Sequence, residues 1–140
     1  MRRRVVTAMV GTAAVLVLSG CAAASPFDGR RLDDDGLPDA ITAYVRDADP
    51  GTSRFQGTAG AWDLYLVHGT GPGGFCLAYT DGTPENSGAS CTGGTWVRVG
   101  LPDGAAFEAD VDGFAGPPQP GQTEVSAWVR QVAPGRGEAG

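Results

Sequence analysis

Lysine is absent: all ten basic residues of this 140-residue chain are arginine. That excludes Ser-x-x-Lys hydrolases outright. It also removes the phosphate-loop reading of Gly69-Thr70-Gly71-Pro72-Gly73-Gly74, which has no Gly-Lys-Ser/Thr and lies between predicted strands rather than before a helix. Histidine is nearly absent. His68 stands alone and no Cys-x-x-Cys occurs, so a zinc site has too few ligands. There is no Gly-x-Ser-x-Gly nucleophile turn. Positive charge is scarce as well: the formal net charge is −6, and a phosphate backbone needs a basic surface, so nucleic acid is not an expected partner. No apolar run reaches the roughly 20 residues of a spanning helix.

The longest uncharged apolar run, Val5 to Leu18, follows Arg2, Arg3 and Arg4. A basic start that stays cytoplasmic and a short apolar run that enters the bilayer make a signal peptide. The run ends in Leu18-Ser19-Gly20-Cys21, which resembles the lipobox of bacterial lipoproteins: aliphatic, small, small, cysteine. The resemblance covers the first 21 residues. It implies cleavage between Gly20 and Cys21 and a diacylglyceryl group on the Cys21 thiol, with palmitate-type chains. The protein would then be anchored in the cell membrane on its extracytoplasmic face. One acyl chain binds membranes only marginally, whereas two make a stable anchor. An uncleaved membrane helix and a plain secretory signal cut near Ala22 to Ala24 are the alternatives.

Assigning Cys21 to lipid has two consequences. Removing the three leading arginines leaves seven basic against sixteen acidic residues, a mature charge of −9. Such acidity argues against a polybasic contact with anionic lipid and favours solubility. It also leaves one cysteine pair, Cys76 and Cys91. An exported pair 15 positions apart predicts a disulfide, for which loop closure gives on the order of 3 kcal/mol. Metal ligation and two free thiols are the alternatives. The bias to arginine, alanine and glycine points to a GC-rich, actinobacterial-type genome.

Residues 21–36 read as the lipidated N-terminus and a flexible tether, and 37–133 as one small domain. Asp33-Asp34-Asp35-Gly36 does not fit a calcium loop: with Gly36 at position six, Arg31 and Thr42 occupy positions one and twelve, where carboxylates are needed. It reads as a solvated acidic turn. Leu37, Ile41, Tyr44, Val45 and Ala48 follow helical spacing, and Pro50-Gly51 stops the run, so a short helix is expected over 37–48. Ile41, Ala43 and Val45 also alternate, which leaves a strand open. Five strands follow, centred on Trp62 to Leu66, Phe75 to Thr80, Val97 and Val99, Phe107 to Val111, and Val125 to Val129. Gly82 to Gly94 reads as a long polar loop, Pro102-Asp103-Gly104 as a turn and 134–140 as a disordered tail. The expected fold is mainly β (a small antiparallel sheet, sandwich or partly open barrel) with one N-terminal helix and one disulfide. This order is similar to small actinobacterial exported proteins of unassigned role. The likeness rests on Leu64 to Val67, Cys76-Leu77 and Cys91 and brings no catalytic residue with it.

Candidate chemistry is sparse. His68 with Ser53, Ser87, Ser90 or Ser126, or a pair among the many carboxylates, would suit a small envelope hydrolase. Tyr65, Trp96 and Trp128 lie opposite the Leu/Val faces of their strands. Unless a second layer covers them, they form an aromatic surface for a carbohydrate or peptide. The leading expectation is a lipid-anchored, non-catalytic binding or structural domain of the envelope. No cofactor or metal is implied, and its partner is an envelope protein or glycan.

Overall fold

A computed structural model describes residues 24–135. The signal segment, the Gly20–Cys21 processing site with its lipidation residue Cys21, and residues 136–140 lie outside the described residues. Eight strands form two antiparallel sheets. β1 (Arg54–Ala59), β2 (Trp62–His68), β3 (Phe75–Thr80) and β4 (Gly88–Thr92) pair in that order. β5 (Trp96–Gly100), β6 (Ala106–Asp110), β7 (Thr123–Glu124) and β8 (Val129–Val132) form the second sheet in the order β5-β6-β8-β7. The protein is therefore mainly β, as its alternation predicts. Three of the eight strands escape that alternation. β4 is the polar run Gly-Ala-Ser-Cys-Thr inside the expected loop, and it is aligned by pairing with β3. β1 and β7 carry no apolar alternation either. The last strand begins at Val129, not Val125. The Ser126 hydroxyl accepts from the Trp128 and Val129 amides at 3.1 Å each, which folds 125–128 into a turn.

Period-two patterning explains where the core sits. Trp62, Leu64 and Leu66 of β2 and Phe75 and Leu77 of β3 face Val97, Phe107, Ala109 and Val129 of the second sheet. Complete burial of a side chain such as Phe75 or Phe107 contributes about 1.5–3 kcal/mol. The opposite face of the first sheet is covered too. Tyr65, Val67, Cys76 and Ala78 pack against Ile41, Val45 and Ala48. β2 and β3 are thus buried on both faces, where alternation predicts one buried face each.

The covering segment is less helical than its spacing predicts. Only α1 (Asp39–Thr42) is α-helix. Beyond it the amides of Tyr44 and Ala48 bond the carbonyls of Ile41 and Val45, three residues back. β-branched Ile41 and Thr42 and the isolated bridge from Ala48 to Gly69 favour turns over a continuing helix. The spacing still places Ile41, Val45 and Ala48 on one buried side.

Two corrections concern the stretch before it. Residues 24–36, expected as tether, lie against the domain. Phe27 packs on the inter-sheet core and stands 5.0 Å from the His68 ring. The Ala24 carbonyl accepts from Trp128 Nε1 at 3.1 Å. Asp35, expected in a solvated turn, is buried at 6% exposure. Its carboxylate accepts from the amides of Leu32 (2.6 Å) and Phe55 (2.8 Å), and its carbonyl accepts from the Ser53 hydroxyl. A carboxylate receiving two amides holds the entering chain to the start of β1. Among the described residues, packing against the sheets already includes Ala24 and Phe27, well before Leu37.

Cys76 and Cys91 form the expected disulfide. They are register partners on β3 and β4, with Cα atoms 4.0 Å apart. The Pro102-Asp103-Gly104 turn joins β5 to β6, and Asp103 accepts from Trp62 Nε1 at 2.7 Å, which links the two sheets. Among the described residues no helix is long and apolar enough to cross a membrane.

Candidate functional site

β1 carries a bulge. Phe55 pairs with Tyr65 and Gly57 with Leu64, so Gln56 is the extra residue. Gly57 takes φ +137°, a value that other residues rarely adopt. One extra residue changes the parity of the strand. Phe55 and Thr58, three apart, therefore share a face, opposite Tyr65 and Asp63 respectively. On a regular strand they would point to opposite sides. Gln56 is fixed in turn by Ser126, whose hydroxyl donates to its side-chain oxygen at 2.8 Å.

These four residues and Asp34 line a depression of about 280 Å³ on the outer face of the first sheet. The Phe55 and Tyr65 rings both line it, with centroids 5.2 Å apart and planes tilted by 50°. Asp63 accepts from the Thr58 hydroxyl at 2.6 Å. Asp34 enters from the turn that buried Asp35 anchors. Tyr65 is only 6% exposed. Its hydroxyl makes no hydrogen bond among the described residues, yet it is not sealed from solvent, so it opens on the depression. Burial first, and then the negative charges of Asp63 and Asp34, push that hydroxyl above its ordinary value of 10.0. The site thus offers oxygen acceptors and ring faces under a negative potential.

A second depression, about 350 Å³, lies beside the disulfide. It is lined mostly by glycine backbone around Gly69 to Gly74 and by Asp47 and Thr92. Asp47 is its single charged side chain. Convergent polar groups are what make a pocket selective, and the smaller site has more of them.

The expected functional residues are dispersed. Tyr65 lies under the 37–48 layer. Trp96 is 48% exposed on the outer face of the second sheet. Trp128 is half-buried at the core edge, with its indole on Ala24. The three rings do not form one platform. His68 donates from Nδ1 to the Gly69 carbonyl, 3.0 Å away, and its ring meets Phe27. None of the four candidate serines bonds it among the described residues. Ser53 and Ser87 are buried and hydrogen-bonded to the Asp35 and Thr83 carbonyls, and Ser126 is held by Gln56. Phe55, Thr58, Asp63 and Asp34 were not singled out by sequence, because β1 was not recognised and the bulge hides its facing. Gln56-Gly57 before a Thr-Ala end is the one local signal, since glycine inside a strand marks a bulge. No family model matches this chain, and neither a curated protein nor a solved structure matches it.

Proposed function

We propose that this chain is a lipid-anchored protein of the bacterial envelope whose extracytoplasmic β-sandwich binds a ligand without transforming it. The anchor rests on Leu18-Ser19-Gly20-Cys21 and the arginine-led apolar run before it. The binding reading rests on the Phe55–Tyr65 depression, where the hydroxyl of an otherwise buried tyrosine opens beside two carboxylates. A few convergent polar groups beside aromatic rings are what orient a ligand in such a place. The acidic surface keeps the domain soluble at the membrane, and its partner there is an envelope protein or glycan component.

Metabolic labelling with a palmitate analogue tests the anchor. The wild-type chain is expected to carry label and fractionate with membranes, and Cys21→Ser to lose label and accumulate unprocessed. Label that survives Cys21→Ser overturns the lipobox assignment. The hydrolase alternative is tested by turnover of envelope substrates; activity lost in a folded His68→Ala chain would overturn the non-catalytic reading.

A further inference from the structure

We infer that the Phe55–Tyr65 depression takes an alkylammonium group, a protonated primary amine on a flexible carbon chain. The inference deepens the binding reading above and rests on it. Three observations converge. The polar groups at the site are two carboxylates, one threonine hydroxyl and one phenol. A ligand must therefore bring donors, and an ammonium brings three. Two aromatic rings line the depression, and a cation beside such rings is attracted by their negative faces. Asp34 and Asp63 have no basic side chain within 4 Å, since the one ion pair among the described residues is Arg98 with Glu108. The Tyr65 side chain, more than nine-tenths buried, has its hydroxyl without a protein partner among the described residues and open on the depression, which is the independent sign of a place for a ligand's donor.

Competing ligand classes fit less well. A hard divalent ion takes six or more oxygen ligands, and no group of three His, Cys, Asp or Glu side chains gathers among the described residues. An anion would meet two carboxylates with no arginine to offset them. A sugar ring needs a flat platform and paired donors, whereas the two rings here are tilted by 50°. The carbon chain of an alkylamine can lie along Phe55 while its ammonium reaches Asp63, Asp34 and the phenol. Such an amine comes either from a free diamine or from an amine side chain carried on an envelope polymer.

The test uses the full chain, purified from membranes in non-ionic detergent, titrated calorimetrically near pH 7 with 1,5-diaminopentane and with Nα-acetyl-lysine methylamide. Saturable binding that weakens with added salt is expected. Asp34→Asn and Asp63→Asn should each weaken it roughly fivefold, the factor equivalent to about 1 kcal/mol for a part-exposed ion pair. Asp47→Asn, in the other depression, should leave it unchanged. Tighter binding of the lysine derivative assigns the amine to a polymer side chain, and tighter binding of the diamine to a free solute. Thermal melting confirms that each variant is folded; should Asp63→Asn melt early through loss of the Thr58 bond, Tyr65→Phe replaces it, with the same expected weakening. Lipid-labelled protein that binds neither amine saturably, or binds them equally after the Asp34 and Asp63 changes, overturns the amine site. Retained amine binding in a chain that takes no lipid label overturns the anchor alone.

Discussion

Asp35 shows how one side chain can decide where a domain begins. Both of its carboxylate oxygens accept backbone amides, Leu32 on one side and Phe55 on the other. Asparagine keeps the shape but turns a donor toward one of those amides. Leaving a buried donor unmatched costs about 1–3 kcal/mol. Asp35→Asn is therefore expected to lower the unfolding free energy by that amount, read as a lower urea midpoint at unchanged slope. An unfolding free energy within about 0.5 kcal/mol of wild type, the scatter of a neutral surface change, would mean that the docking does not depend on this carboxylate. Tyr65 and Tyr79 make a second residue-scale prediction. Burial raises both above 10.0, with Asp63 and Asp34 adding to the effect at Tyr65 and Tyr44 at Tyr79. The unfolded chain releases these protons at the ordinary value, whereas the folded chain retains them. Their contribution to stability is thus fully present below pH 10 and is lost as pH rises beyond it through the raised folded-state values. Phenolate absorbance should develop late, and Tyr65→Phe should remove one late-titrating group. Asp103 behaves oppositely. Hydrogen bonds from Trp62 and from the Ala105 amide hold its carboxyl below 3.8, so its contribution is present above that pH and lost in acid as pH falls through the lowered value.

At the level of elements, the bulge in β1 determines which side chains meet. Gly57 lies at φ +137° with Val125 Cγ1 3.1 Å from the place a Cβ would take. Gly57→Ala is expected to cost about 1–3 kcal/mol and to disturb Phe55 and Thr58 while leaving β5 to β8 intact. Amide exchange would show this as protection lost in β1 and β2 but retained in β6. The disulfide is the other device at this scale. Cys76→Ala with Cys91→Ala is expected to destabilise by about 3 kcal/mol, the loop-closure term, and to loosen β4 first, because that strand has no apolar alternation of its own. Sequence reading was accurate where burial imposes a period: β2, β3, β5 and β6 all announce themselves by alternating large apolar side chains. It missed β1, β4 and β7, which carry no apolar alternation and whose place comes from neighbouring strands. It read 37–48 correctly as a layer with a buried side and wrongly as a continuous helix, because spacing reports facing and not hydrogen-bond pattern. At the site, Tyr65 was found through its size and alternation. Its neighbours were not, since a bulge shifts parity by one residue and a carboxylate on an acidic chain carries no distinguishing mark.

At the scale of the whole described unit, the protein is an acidic sandwich with residues 24–36 folded onto it. Phe27, Asp35 and the carbonyls of Phe27 and Gly29 that accept from Arg54 all tie residues 24–36 to the sheets. A chain truncated to begin at Leu37 is expected to lose on the order of 2–4 kcal/mol, from the exposed Phe27 contact surface and the unmatched Phe55 amide. Equal melting of truncated and intact chains would show that this segment adds nothing. The bond between Trp128 and the Ala24 carbonyl has a further consequence if Cys21 carries lipid. Only three residue steps separate the two, a reach of about 10–11 Å when fully extended. That is close to one Debye length, about 8 Å at physiological ionic strength. A domain moored so closely feels the surface potential of its own membrane. With a mature charge of −9, its most acidic faces would be turned outward by anionic headgroups, which fixes a preferred orientation with no protein partner involved. Ligands would then be met at headgroup level, in a two-dimensional search, and not in the volume that a long leash would sweep.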